Sequence, residues 1–148
     1  ESNEVVTYVE VRIFKQLSVD TNVKIPPQKP EAEDIIEITA CVDITYTYLI
    51  KTPVVTSYEG QELTGWKLIV EGIIRQKVVY IANEPTQSVH AAEFEIPFST
   101  FVILPKDYKP CSDVRVTGYI EDDFAKLLSD RRTIFKNITL MIEGRTGC

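Results

Sequence analysis

The sequence has little of the material from which catalytic and metal sites are usually built. Its 148 residues include a single histidine, His90, and no glycine-rich phosphate loop, Cys-x-x-Cys pair or His-x-x-x-His pair. Those spacings bring phosphate-binding amides or metal ligands together, so their absence removes the commonest nucleotide and zinc sites. No apolar run approaches the roughly 20 residues that a membrane-spanning helix requires. We therefore expect no cofactor, no metal ion and no membrane span.

Clustered positive charge is also missing. The net charge is −6, from 16 basic and 22 acidic residues. The densest basic group, between 126 and 136, is diluted by acidic residues at 121–123 and 130. Binding to a phosphate backbone needs clustered Lys and Arg side chains, so we predict that nucleic acid is not a partner.

Alternation of apolar and polar residues is the clearest pattern that is present. From Ile36 to Ile50 every even position is apolar or aromatic, while most odd positions are polar. Successive side chains in a strand point to opposite faces, so we predict one long strand with a single wet face. Similar segments recur at 5–14, 66–82, 90–98, 114–120 and 134–142. Several strands with short loops predict an all-β fold, either an antiparallel β-sandwich of the jelly-roll kind or a barrel.

Two short helical turns and one domain complete the predicted organisation. Pro30 preorganises a first turn over 30–35, and the spacing of Phe124, Leu127 and Leu128 indicates another turn over 122–128. No repeat, low-complexity tract or linker is present, so we predict a single domain over 1–148. Within it, 1–14 is a candidate N-terminal arm and 143–148 is expected to be a flexible tail.

Candidate catalytic residues are few. His90 lies on the apolar side of an alternating strand, and no nucleophile or orienting partner for a general base is visible from spacing. Glu93 and Glu95 share a strand face, which suits a solvated surface better than the two sides of a substrate cleft. We therefore predict that the protein is not an enzyme.

The remaining polar motifs also favour structural interpretations. The acidic run Glu121-Asp122-Asp123 lacks the regular ligand spacing and the glycine of a calcium loop, so we predict a helix start or a turn there. The sequence Asn137-Ile138-Thr139 matches a glycosylation sequon but lies inside a predicted strand, where we interpret the match as a coincidence.

The three cysteines leave two interpretations open. Cys41 is at an odd position of its strand and should face away from the apolar side, Cys111 follows Pro110 in a loop, and Cys148 ends the chain. An odd number of cysteines cannot pair fully within one chain, which leaves a thiol for an intermolecular disulfide. The alternative is three inert thiols in a reducing compartment.

Several segments together resemble the SPOCS domain family. They are Lys24–Pro26, Gln28–Pro30, Ile35–Ile36, Val70–Ile74, Val79–Ala82, Val89–Ser99, Ile120–Asp122 and Arg132–Ile138. The combination of Gln-Lys-Pro with Val-His and Glu-Ile-Pro-Phe is uncommon, and the resemblance extends over roughly 8–142. Its signature positions, for which a structural meaning is implied, are Lys29, Pro30, Gly72, Tyr80, His90, Glu95, Pro97, Phe98, Phe135 and Asn137.

The resemblance implies a domain of endospore-forming bacteria, associated with assembly of the spore envelope, coat and surface appendages. We predict a structural subunit at the spore surface that associates with itself through sheet edges and residues Glu1 to Phe14. In that interpretation Cys41, Cys111 and Cys148 form disulfides between neighbouring copies. The alternative is a module that docks a morphogenetic partner of the spore envelope. A third hypothesis, a polysaccharide-cleaving enzyme using Glu93 and Glu95, is the weakest.

Overall fold

The computed structural model describes residues 11–56, 60, 62–106, 108 and 113–147. Within these ranges the chain forms six strands and no helix. Five of the predicted alternating segments lie entirely within strands, and the first overlaps a strand at 11–14. The strands are β1 (Val11–Lys24), β2 (Ala32–Thr56), β3 (Glu62–Ala82), β4 (Val89–Ile103), β5 (Asp113–Leu127) and β6 (Thr133–Gly147).

The strands form two sheets of three, with all neighbours antiparallel. We call β1-β6-β5 the first sheet and β2-β3-β4 the second sheet. Edge strands of the two sheets approach each other, β2 beside β5 and β1 beside β4. Among the described residues no hydrogen-bonded ladder joins the sheets at these edges. The prediction of an all-β antiparallel sandwich is therefore confirmed, and the fold is not a closed barrel.

The core lies between the inner faces of the two sheets. In β3 and β6 the buried apolar side chains stand at even positions, as period-two alternation requires. Burying one such side chain contributes roughly 1.5–3 kcal/mol relative to leaving it in water. The fully buried members from these two strands are Val70, Ile74, Val78, Tyr80, Ala82, Ile134, Ile138, Leu140 and Ile142.

Both predicted helical turns are wrong. β2 begins at Ala32, whose amide donates to the Arg131 carbonyl oxygen at 2.8 Å, so the segment after Pro30 is extended. The 122–128 segment is extended through Leu127, because β5 pairs there with β6. A register shift between Ile120 and Asp122 explains the misleading spacing, since it exchanges the inward and outward positions of β5.

β2 changes face part-way along its length. Ile44 lies opposite Gly72 of β3, and the next pair is Tyr46 with Glu71. This β-bulge adds one residue to β2, and a shift of one residue moves the side chains that follow, up to the next register shift after Lys51, to the other face of the sheet. The prediction of one long strand is confirmed, but the prediction of a single wet face is wrong at Ile36, which is exposed beside another register shift, and beyond Ile44.

Both ends of the described chain lie in the first sheet. Residues 11–14 of β1 pair with 143–146 of β6, and β6 lies between β1 and β5. The expected flexible tail is therefore, over 143–147, the last part of a central strand. Residues 1–10 of the predicted N-terminal arm and Cys148 lie outside the described residues.

One ion pair lies inside the sandwich. The side chain of Lys136 is fully buried in β6 and donates to a carboxylate oxygen of Asp123, which is itself 12% exposed. Asp123 faces inward because the β5 bulge precedes it. Removing either partner would leave a charge in a medium of low dielectric. Gln76 of β3 is also buried, and its side-chain amide has no hydrogen-bond partner in the described protein.

Candidate interaction surfaces

His90 is part of a packing cluster at the end of the sandwich where β2 begins and β3 ends. Its ring stacks on Tyr80, with the centroids 5.9 Å apart, and its Nε2 lies 3.0 Å from the Ser88 hydroxyl. The Tyr80 hydroxyl donates to the Pro30 carbonyl oxygen at 2.8 Å, and Lys29 Nζ donates to the Ala91 carbonyl oxygen at 2.8 Å. Four signature positions therefore meet here and join the 26–30 loop to β3 and β4.

Burial raises the pKa of Tyr80 above its ordinary value. The hydroxyl is therefore held as a hydrogen-bond donor to the loop across the physiological range.

Gly72 and Phe98 form a second signature contact. A Cβ placed on Gly72 would lie 2.6 Å from Phe98 Cζ and 2.7 Å from the Asp43 carbonyl oxygen. The missing side chain thus admits both the Phe98 ring and the β2 backbone next to the bulge.

Of the other signature residues, Phe135 packs edge-on against Phe124 and the Asn137 amide donates to Ser18 and Asp20. Pro97 is exposed in β4, opposite Ile73.

Glu93 and Glu95 share the outer face of β4, as predicted. Glu95 pairs with Arg75 of β3, and Arg75 Nε is 2.5 Å from an Asp43 carboxylate oxygen of β2. The hydrogen bond to Asp43, and then the charge of Glu95, raise the pKa of Arg75. The three side chains form a charged row across the second sheet. Exposed pairs of this kind add little to stability.

The acidic run at 121–123 is divided by the β5 bulge. Asp123 points inward to Lys136, whereas Glu121 accepts a hydrogen bond from Gln16 on the outer face at 2.6 Å. The run is extended strand, so the predicted helix start or turn is wrong. Among the described residues no group of three or more His, Cys, Asp or Glu side chains could hold a metal ion.

Cys41 is an exposed free thiol on the outer face of β2. It lies in register with Arg75, which lies in register with Glu95, so the thiol stands at one end of the charged row. This orientation agrees with the prediction that Cys41 faces away from the core. Cys111 and Cys148 lie outside the described residues.

Beyond the bulge, the outer face of the second sheet carries exposed apolar side chains, next to Glu71 and Lys67 of β3. Tyr46, Tyr48 and Ile50 of β2 are 52%, 43% and 44% exposed, and the two tyrosine rings lie 4.0 Å apart. Register places Tyr48 beside Ile69 and Ile69 beside Phe101, so the surface continues across all three strands. We call Tyr46, Tyr48, Ile50, Ile69 and Phe101 the front patch. The outer face of a sandwich is normally polar, so this surface requires a separate explanation.

Two lysines border the front patch at Phe101. The ammonium groups of Lys15 and Lys67 lie 3.7 Å and 4.2 Å from the centroid of its ring, and Lys15 also donates to the Phe101 carbonyl oxygen at 2.7 Å. Both contacts are within the range of cation–π attraction. Burial, and then the charge of Lys67, lower the pKa of Lys15. This border of the patch is therefore positively charged.

A model of the family described as SipL, SPOCS domain, matches residues 31–128, more than half of the 148-residue chain. The chain belongs to the SPOCS domain family. The resemblance in the sequence is thereby confirmed. Membership suggests a spore-associated role. No curated protein and no solved structure shows significant similarity to the chain.

The SPOCS match includes the front patch, the charged row and the bulge in β2. It also includes the packing cluster around Tyr80, apart from Lys29 and Pro30, which lie just before the matched range. In the described part of this SPOCS protein there is no helix long and apolar enough to cross a membrane.

The front patch was not predicted, because an alternation that continues unbroken to Ile50 assigns all its apolar residues to one face. The length of the segment was the available signal. β2 has 25 residues, whereas strands usually have about 5–6. A strand of that length commonly contains a bulge, and a bulge reverses the faces.

Proposed function

We propose that the protein is a non-catalytic structural component of the spore surface that associates with further copies of itself. The observation that carries this proposal is the front patch, in which Tyr46, Tyr48 and Ile50 are exposed on the outer face of a sheet. Contiguous exposed apolar area is typical of surfaces that another protein covers. Membership of the SPOCS family supports an association with spores.

Analytical ultracentrifugation of the reduced protein over a wide range of concentration tests self-association. We expect the average mass to rise with concentration for the wild type, and to stay at the monomer mass for Tyr48→Asp. Val89→Asp is the matched control, because Val89 is 62% exposed but lies outside the front patch. A wild-type protein that remains monomeric throughout would overturn the proposal.

We further propose that Cys41, Cys111 and Cys148 link neighbouring copies through disulfides. The exposure of Cys41 supports this, because disulfide exchange requires an accessible thiol. Non-reducing and reducing gels of protein from its native source, with mapping of the three cysteines by mass spectrometry, test the proposal. We expect a ladder that collapses on reduction, and an assembly that weakens in Cys148→Ser without unfolding the monomer. One monomer band under both conditions, with three free thiols, would show that the cysteines have no such role.

The lack of catalysis is part of the proposal. It is supported by the packing of His90 on Tyr80 and by the engagement of Glu95 with Arg75. No cofactor or nucleic acid is required. Release of reducing ends from spore polysaccharide by the wild type, but not by Glu93→Gln or Glu95→Gln, would overturn this part.

A second candidate function is a module that docks one partner protein of the spore envelope. The front patch supports docking of a partner as well as it supports self-association, because a different protein could cover the same residues. The two functions differ in stoichiometry. A monomer that forms a one-to-one complex with an envelope protein, and loses it in Tyr48→Asp, would favour docking over self-assembly.

A further inference from the structure

Three arginines stand side by side on the outer face of the first sheet. Register places Arg12 of β1 beside Arg145 of β6, and Arg145 beside Arg115 of β5. The side chains of Arg12 and Arg145 are 52% and 43% exposed, and Arg115 is also exposed. Residues directly opposite one another on neighbouring strands have their Cβ atoms about 5 Å apart. We call Arg12, Arg145 and Arg115 the arginine row.

The arginine row differs in charge pattern from the charged row of the second sheet. In the charged row Arg75 lies between Asp43 and Glu95, so the sign alternates from strand to strand. In the arginine row the same sign is repeated on all three strands. Like charges directly opposite each other destabilise a sheet. The arginine row therefore opposes folding, and its presence in a chain of net charge −6 requires another explanation.

A buried carboxylate lies beneath the arginine row. The side chain of Glu143, two residues before Arg145 in β6, is only 7% exposed. Arg145 Nε donates to a Glu143 carboxylate oxygen at 2.7 Å, and Arg12 Nε lies 3.9 Å from the same oxygen. The hydrogen bond from Arg145, and then the charges of Arg145 and Arg12, lower the pKa of Glu143 despite its burial. Glu143 is therefore ionised at neutral pH and orients two of the three guanidinium groups.

The two ends of the arginine row are weakly engaged by the protein itself. In the part of the chain that the structure describes, the Arg115 side chain forms no ion pair and no hydrogen bond, and the ion pair of Arg12 is the long one to Glu143. These two arginines lie on the two edge strands of a three-stranded sheet, about 10 Å apart. A guanidinium group binds a carboxylate through two parallel hydrogen bonds. Each end of the row can therefore accept one carboxylate from outside the chain.

The surroundings of the arginine row favour an acidic protein segment over a long polyanion. Phe14 and Tyr119, in the next two rows of the same face, are 56% and 46% exposed. Arginine and aromatic side chains are enriched in protein–protein interfaces. Farther along the face, exposed Asp122 stands beside Thr139, about 20 Å from the row. A nucleic acid backbone requires an extended cationic surface, and this face becomes acidic within that distance.

We propose that the arginine row binds the carboxylates of an acidic segment of a partner protein, with Arg12 and Arg115 each taking one carboxylate. An extended segment with acidic residues two or three positions apart presents carboxylates at a matching spacing of about 7–10 Å. This inference goes beyond the self-association proposed for the front patch, because the arginine row lies on the other sheet and includes no residue of that patch.

Titration of the reduced 148-residue chain with a fluorescently labelled hexaglutamate peptide tests the inference. We expect saturable binding that weakens as salt is added, and a loss of at least ~10-fold in affinity in Arg12→Gln and in Arg115→Gln. Arg75→Gln is the matched control. It changes the net charge equally, but Asp43 and Glu95 already engage Arg75 on the other sheet. Its affinity should equal that of the wild type.

Thermal unfolding distinguishes a binding role from a structural one. Arg115→Gln removes one of three like charges, so we expect it to unfold at or above the temperature of the wild type. Arg115→Lys keeps the charge but loses the planar fork, so it should bind hexaglutamate more weakly than the wild type does. A lower unfolding temperature for Arg115→Gln together with unchanged binding would assign the row a structural role and overturn the inference.

The remaining outcomes separate the ligand class and the surface. A wild type that does not bind hexaglutamate, or an equal loss in Arg75→Gln and Arg115→Gln, would overturn the inference. Tighter binding of an oligothymidylate of similar length, lost in Arg115→Gln, would identify a nucleic acid ligand and would also overturn it. Tyr48→Asp should bind hexaglutamate as the wild type does, and a loss there would move the binding to the front patch. A wild type that binds hexaglutamate but stays monomeric would overturn the self-association alone.

Discussion

The two halves of β2 share one sequence pattern and have opposite environments. Ile38, Val42 and Ile44 pack against the core, whereas Tyr46, Tyr48 and Ile50 are exposed on the other face. The pattern of apolar even positions is the same in both halves, and they differ only in lying before or after the bulge. A two-residue period therefore identifies a strand but does not identify its buried face once one residue has been inserted.

β5 contains a bulge with an additional consequence, because it also turns a charged side chain inward. Beyond Ile120 the shift turns Asp123 into the sandwich and leaves Phe124 outside. Sequence alternation would assign these two residues the other way round. In β2 the bulge exposes Tyr46 and Tyr48. In β5 the bulge exposes Phe124 and buries the Asp123 carboxylate against Lys136.

The largest effect is expected where the β5 bulge buries charge. Asp123→Ala leaves the fully buried Lys136 without its partner, so we expect a loss of about 3–5 kcal/mol in the free energy of unfolding, measured with urea. Asp122→Ala, on the exposed face, should change it by less than about 0.5 kcal/mol. The double variant Asp123→Leu with Lys136→Met should recover most of the loss. Equal losses at 122 and 123 would contradict the inward orientation.

The two halves of β2 should respond differently to the same substitution. Val42→Asp introduces a carboxylate against the core beside Gly118, and we expect a loss on the order of 3 kcal/mol in the free energy of unfolding. Tyr48→Asp should cost less than about 1 kcal/mol and act on association instead. Chemical denaturation and sedimentation measure the two effects. The comparison fails if Tyr48→Asp unfolds the monomer as readily as Val42→Asp does.

The bulge in β2 depends on the glycine opposite it. In Gly72→Ala the new methyl group would overlap Phe98 Cζ and the Asp43 carbonyl oxygen, so we expect a loss of about 1–3 kcal/mol in the free energy of unfolding. Gly144→Ala is the matched control, because the atoms nearest to its Cβ would be 3.9 Å away. Thermal melting would reject this explanation if both alanine variants were equally stable.

The smallest effect is expected at the turn between β5 and β6. Hydrogen bonds from the Thr133 hydroxyl and amide, and from the Arg132 amide, lower the pKa of Asp130 to about 2 from an ordinary value of 3.8. Because the folded pKa is lower, ionised Asp130 stabilises the fold above pH 3.8, and this contribution disappears as the pH falls toward 2. Asp130→Asn should therefore be less stable than the wild type at pH 7 and nearly equal to it at pH 2. A difference that persisted unchanged at pH 2 would refute the assignment.

Much of the fold could be predicted from local pattern. Alternation located the strands, and the family resemblance selected positions that meet in the structure, such as Tyr80 with His90 and Gly72 with Phe98. The helical turns could not be excluded from sequence. At 30–35 a proline suits both a helix start and the entry to a strand, and at 122–128 apolar spacing through a bulge imitates a helical period.

What the sequence by itself determined is the type of the main elements, alternating strands of an all-β chain, and membership of the SPOCS family. What only the tertiary structure decided is which side faces the core beyond each bulge, and therefore where the front patch lies. The physical reason is that alternation is a local property of the backbone, whereas a bulge is recognised only by pairing with a neighbouring strand. One unpaired residue reverses every later side chain without changing the pattern along the chain.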